Sequence, residues 1–151
     1  MEALEISKNQ LIGSLELNSL PATTLDLKLN ENRFTGEISL DNLPRGLRDL
    51  NLSKNQLVGT ICLTSLPPDL VYLSLSQNNL EGSLDFTRLP AVITVIDFSE
   101  NMFSGTIDLG NLPRYMRHLN VSKNSLTGTV RVSPTIIFEM SGNDSLVVKQ
   151  R

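Results

Sequence analysis

Asp97, His118 and the serines scattered along the chain are the residues whose types could carry nucleophilic chemistry. Hydrolysis by such a set needs a hydroxyl within reach of an imidazole, a carboxylate behind the ring and donors aimed at the developing oxyanion. His118 is the single histidine, so any triad must use it. The surrounding pattern, read below, sets it on an open sheet with no pocket to exclude water, and no enzymatic activity is expected. Metal chemistry fares no better. One histidine, one cysteine (Cys62) and dispersed carboxylates do not converge at ligand spacing, and no D-x-D-x-D-G loop is present, so neither metal nor cofactor is expected. The glycines occur singly and not as a phosphate-cradling loop. Three Asn-x-Ser sequons start at Asn51, Asn120 and Asn143, and the first two arise from an internal repeat.

Composition bounds the elements that must position these residues. With 151 residues, 40% hydrophobic, 19% charged and a net charge of -3, the chain is neither disordered nor a polybasic binder of nucleic acid. No apolar run approaches the roughly 20 residues of a membrane helix, so no membrane insertion is expected. The start, MEALEISKNQ, is acidic where a secretory signal is basic and then apolar, so no targeting segment is visible and the compartment stays open. A lone Cys62 removes the disulfide-stapled class, and its place between two inward positions points it outward.

Repetition dominates the sequence. Asn9, Asn32, Asn55, Asn78, Asn101 and Asn124 stand 23 residues apart, and Gly13, Gly36, Gly59, Gly82, Gly105 and Gly128 keep the same step. Leu-Pro keeps it as well, from Leu20-Pro21 to Leu112-Pro113. From Leu47 the unit reads L-x-x-L-x-L-x-x-N-x-L-x-G-x-I-x-L-x-x-L-P. Alternation in Leu50-Asn51-Leu52 and its equivalents predicts one short strand per unit, and strands recurring in one direction at one period must pair in parallel. The asparagines follow where the chain turns away, and their amides can serve backbone groups that a buried turn leaves unpaired. Stacked, Asn9, Asn32, Asn55, Asn78, Asn101, Asn124 and Asn143 form a ladder. Gly59-Thr60-Ile61-Cys62-Leu63 alternates again and predicts a second extended segment, after which Leu-Pro closes the coil.

This unit resembles the leucine-rich repeat, in a form similar to plant-type repeats and to those of many protist leucine-rich proteins. The resulting expectation is a right-handed leucine-rich repeat solenoid, β-rich and with little helix, with a parallel sheet on the concave face and short extended segments on the other side. One domain spans residues 1–151. The last repeat is shortened around 135–143, since Asn143 follows Asn124 by only 19 residues, and Leu146, Val147 and Val148 in the tail 144–151 are expected to fold back as a cap. Met1 stands where a leading leucine belongs, and Thr24 replaces another.

Three columns of residues point outward from such a sheet. The first runs Ala3, Asp26, Asp49, Tyr72, Val95, His118, Ile137, and the second Glu5, Lys28, Asn51, Ser74, Asp97, Asn120, Glu139. The third, Ser7, Asn30, Ser53, Ser76, Ser99, Ser122, Ser141, is nearly uniform, which suits hydroxyls bonding the turn backbone. Partner contact is expected where the first column varies most: Arg48, Asp49, Val71, Tyr72, Val95, Asp97, Arg117 and His118, a set rich in hot-spot residue types. The resemblance implies a scaffold that recognises an unidentified protein or peptide with its concave face. The alternative is a structural protein that self-associates through its ends or its concave face, a homodimer included, with no separate ligand.

Overall fold

A computed structural model describes residues 2–150, and Met1, in place of a leading leucine, lies outside them. The chain winds as a solenoid bounded by two seven-stranded parallel sheets. The concave sheet takes β1 (Ala3–Glu5), β3 (Asp26–Lys28), β5 (Asp49–Asn51), β7 (Tyr72–Ser74), β9 (Val95–Asp97), β11 (His118–Asn120) and β13 (Ile137–Glu139). The outer sheet takes β2 (Ile12–Ser14), β4 (Arg33–Gly36), β6 (Gln56–Gly59), β8 (Asn79–Gly82), β10 (Met102–Thr106), β12 (Ser125–Val132) and β14 (Ser145–Gln150). A single 3-10 turn, Leu17–Ser19, is the only helical element among the described residues.

Every concave strand buries its middle residue from β3 to β11, and Leu27, Leu50, Leu73, Ile96 and Leu119 are fully enclosed. The residues on either side face outward, as a period of two demands, with Ser74 as the buried exception. Leucines from the outer arc, such as Leu57 and Leu80, meet them across the interior. In the middle of the stack Phe98 packs between Phe86 and Phe103, with ring centroids 6.1 and 5.8 Å away. Thr24 is buried without loss, because its hydroxyl donates to the Pro21 carbonyl at 2.8 Å.

Each Leu-Pro opens a tight turn. The Pro44 carbonyl accepts from Leu47 N–H at 3.0 Å, and Pro21, Pro67, Pro90 and Pro113 repeat this bond. In the shortened coil Ser133 takes the accepting position, 3.1 Å from Ile136 N–H, and Pro134 follows it at the site where a turn favours proline. A turn therefore persists where the Leu-Pro signal is lost.

Three features differ from the expectation. The second strand begins earlier: β6 covers Gln56–Gly59 and stops before Thr60–Leu63, and only β12 runs through the whole expected segment, past its glycine, Gly128, to Val132. From β2 to β12 the outer sheet pairs with an offset of 21, as in Thr35↔Gln56, whereas from β1 to β11 the concave sheet keeps 23, as in Leu50↔Leu73; the last steps are 18 and 19. Equivalent outer residues are thus staggered by two positions per coil. Nor does the tail fold over the last coil. β14 runs parallel beside β12 and extends the outer sheet, with Leu146 buried and Val147 half exposed.

Between the sheets the asparagine amides join neighbouring coils. Asn78 Nδ2 donates to its own coil's Leu75 and Ser76 carbonyls at 3.1 and 3.2 Å and to Leu52 of the preceding coil at 3.0 Å. Its Oδ1 accepts from Leu57 N–H at 3.0 Å. The same bonds hold Asn55, Asn101 and Asn124, while Asn143 keeps the bonds to Val121, Met140 and Leu126. The residue before each asparagine from Lys8 to Lys123 is left-handed, with φ between 54 and 57°. Gly142 takes that place in the last coil at φ 80°, where a Cβ would lie 3.0 Å from the Lys123 backbone.

Asn78→Ala is expected to lower stability by about 2–3 kcal/mol, because it orphans the buried Leu57 N–H and strips a bond from three carbonyls. Asn9, which is exposed and bonds only Ile6 and Ser7 of its own coil, should tolerate the same change at under about 1 kcal/mol. Urea denaturation of the two variants measures the difference.

Candidate functional site

The concave register sets Ala3, Asp26, Asp49, Tyr72, Val95, His118 and Ile137 directly opposite one another, strand after strand. The second column, from Glu5 to Glu139, is aligned likewise. Alternation holds the first column outward, and the parallel ladder sets its spacing at roughly 4.8 Å.

The N-terminal half of this wall is polar. Arg48 lies 3.6 Å from Asp26, and Lys28 lies 4.0 Å from Asp49. Asp49 Oδ1 is buried and has no hydrogen-bond partner. Burial pushes the Asp49 carboxyl above the ordinary carboxylate range; Lys28 opposes this, and Asp26 and Glu5 add to it. Tyr72 is next in the column. Burial raises its phenol, a bond with Ser74 works the other way, and the fields of Asp97 and Asp49 raise it further.

The C-terminal half is more apolar. Val95 is half-buried, Val71 is 39% exposed and Ile137 63% exposed. His118 Nε2 sits 2.6 Å from Glu139 Oε1, and Asn120 Nδ2 donates to the other oxygen of that carboxylate at 3.3 Å. The triad arrangement does not assemble. Asp97 Oδ1 accepts from Ser99 N–H and hydroxyl at 3.0 and 2.6 Å, which leaves His118 to Glu139.

Of the residues expected to meet a partner, Asp49, Tyr72, Val95, Asp97 and His118 line adjacent strands, with Val71 at their edge. Arg48 is drawn onto Asp26, and Arg117 turns back to donate to the Arg114 and Met116 carbonyls at 3.1 and 3.2 Å. Ser74 of the second column is buried beside Ser76, not offered to solvent. The third column does something other than bond the turn backbone: the Ser53 and Ser122 hydroxyls donate to Asn51 and Asn120, both at 2.7 Å. Sequence reasoning passed over Ile137 and Glu139, although the columns themselves contained both. It also missed Tyr115 and Val92, exposed on the turns leading into the strands, where Arg114 lies 5.5 Å from the Tyr115 ring centre. Their signal was an apolar type at a turn position.

A cleft of about 460 Å³ lies away from the wall, between Val132, Pro134, Ile136, Phe138, Met140 and Val148, where the shortened coil leaves interior space. Cys62 is exposed, with Sγ 3.1 Å from the Thr64 hydroxyl. Asn143 is too deeply engaged in the ladder to serve as a glycosylation acceptor. Among the described residues no helix is long and apolar enough to cross a membrane.

Such a stack, one concave strand and one asparagine rung per coil, defines a parallel β-solenoid repeat protein. No protein-family model matches the sequence, and no curated protein matches it. Solved structures do. The Arabidopsis receptor kinase HAESA, in complex with the peptide hormone IDA and the co-receptor SERK1, is 33% identical with a TM-score of 0.80, over 99% of this chain and 26% of that one. Pollen Receptor Kinase 3 is 22% identical with a TM-score of 0.80, over 96% of this chain and 74% of its own. A plant ice-binding protein is 22% identical with a TM-score of 0.69, over 98% of this chain and 50% of that one. The chain is a leucine-rich repeat protein.

The raised Asp49 carboxyl gives a pH dependence of known sign. The folded state binds this proton more tightly than the unfolded one, so its contribution is present below the ordinary carboxylate range and is lost as pH rises through the folded value. Asp49→Asn should therefore be more stable than the parent at neutral pH, by no more than about 1 kcal/mol given partial exposure, and the gap should close in acid. Urea midpoints across pH measure it; a less stable variant at neutral pH would show that the Lys28 pair outweighs burial.

Proposed function

We propose that this chain is a non-catalytic recognition module that binds a protein or peptide through its concave sheet. The observation that carries this reading is the half-exposed Tyr72–Val95 pair, with Val71 at its edge and Ile137 two strands beyond Val95, held on a strand ladder and rimmed by charge. Aromatic and aliphatic side chains displayed this way bury apolar area on contact, and their backbone is already ordered, so binding loses little conformational entropy. The likeness to HAESA, whose structure holds a peptide hormone, supports the same reading. The likeness to a plant ice-binding protein shows that the coil alone does not select a ligand. Specificity then resides in the two outward columns.

The wall's histidine pairs with a carboxylate and not with a nucleophile: His118 Nε2 meets Glu139, while the hydroxyls of Ser53, Ser99 and Ser122 donate to Asn51, Asp97 and Asn120. The reading is tested by panning a displayed library of random dodecapeptides against the protein and against Val95→Asp. Enriched peptides should bind the variant at least about tenfold more weakly, the scale of losing a central apolar contact. Val95→Thr, which keeps the shape and the strand preference, guards against simple misfolding. Peptides that bind Val95→Asp as well as the parent would place recognition elsewhere.

A further inference from the structure

The polarity of the wall narrows the chemistry of what it takes, granted that it is the binding surface. Its two outward columns carry Glu5, Asp26, Asp49, Asp97 and Glu139 against one lysine, Lys28. The flanking arginines do not correct this imbalance at the centre, since Arg48 lies on Asp26 and Arg117 is folded back onto its own turn. Tyr72 stands beside Asp49 on one neighbouring strand, and the field of Asp97 on the other neighbour reaches it as well. Asp49 Oδ1 is buried, so this carboxylate meets a ligand through Oδ2, which Lys28 approaches to 4.0 Å. An aromatic ring between two carboxylates attracts a cation twice over, through the ring face and by charge-assisted hydrogen bonds.

Distance supplies the second constraint. Tyr72, Val95, His118 and Ile137 lie opposite one another on successive strands, so Tyr72 and Ile137 are roughly 14 Å apart. An extended chain crossing the strands advances about 3.4 Å per residue and covers that span in about four residues. Ile137, the most exposed large apolar side chain on the wall, ends the path.

We propose that the concave wall binds an extended basic segment of a protein or peptide, with a Lys or Arg head group over Tyr72 between Asp49 and Asp97 and an apolar side chain about four residues away on Ile137. Val95 is the floor between the two contacts. Either chain direction satisfies the spacing.

The test is the composition of the peptides enriched from the dodecapeptide library, followed by affinity measurement on the best synthetic peptide. Lys or Arg should be enriched about four positions from Leu, Ile, Val or Phe. Replacing that basic residue by Gln, or changing the protein by Asp49→Asn with Asp97→Asn, should weaken binding by about tenfold or more, and raised salt should weaken it too. The double variant keeps its fold, since Asn51 and Asn120 already make the Asp97 bonds to serine in their own coils. Enriched peptides that lack a basic residue yet lose binding to Val95→Asp would overturn this inference and leave the wall as the binding surface. Binding that survives Val95→Asp, or no enrichment at all, would count against both.

Discussion

A buried asparagine amide bridging consecutive coils is the interaction on which the rest of this structure depends. A chain that makes a three-residue strand and then turns inward must leave carbonyls such as Leu52 and Leu75 facing the interior, where unpaired polar groups are costly. One amide provides both donor and acceptor, so Asn78 serves Leu52, Leu75 and Ser76 and also takes the Leu57 N–H. A carboxylate would lack the donors and a hydroxyl the reach. Seating the amide requires a left-handed residue just before it, a conformation that Lys54, Gln77 and Glu100 adopt despite their side chains. Local strain is thus accepted from Lys8 to Lys123 for a fully bonded turn, and Gly142 relieves it in the last coil.

Because each rung ties a coil to the one before it, the concave sheet inherits a single register from β1 to β13, and its outward columns form straight lines. The outer sheet, staggered by two residues per coil, has no such lines. That asymmetry is the physical basis of the proposal that recognition uses the concave side. Within it Arg48 pairs with Asp26 and Lys28 with Asp49 on the flank, while the centre keeps an aromatic ring and aliphatic side chains half open to solvent.

Much of this was legible in the sequence because a period of 23 with asparagine, glycine and Leu-Pro in constant register leaves few other ways to pack. Alternation told which of Leu50, Asn51 and Leu52 faces inward, since strand sterics are local. What was not legible depended on relations between coils. The outer strand starts at Gln56 and not at Gly59, and the glycine's positive φ does not decide where it stops, since β12 passes through Gly128 to Val132 where β14 lies beside it. Ser74 looked like its column neighbours, yet it sinks beside Ser76, a matter of side-chain neighbours and not of spacing. The His118–Glu139 contact spans a step where the repeat loses its period, so column arithmetic gave it no weight. Arg117 had the right type and place, but nearby turn carbonyls hold its guanidinium.

Native-state hydrogen exchange of the Leu57, Leu80 and Phe103 amides tests the central role of the ladder most directly, since each donates to a ladder asparagine at 2.9–3.0 Å and not to a strand partner. If the rungs hold the coils together, these three amides exchange only through global unfolding, with protection equal to the full unfolding free energy and falling with denaturant as it does. Exchange through low-energy openings insensitive to denaturant would contradict that account and place the stability in the apolar core alone.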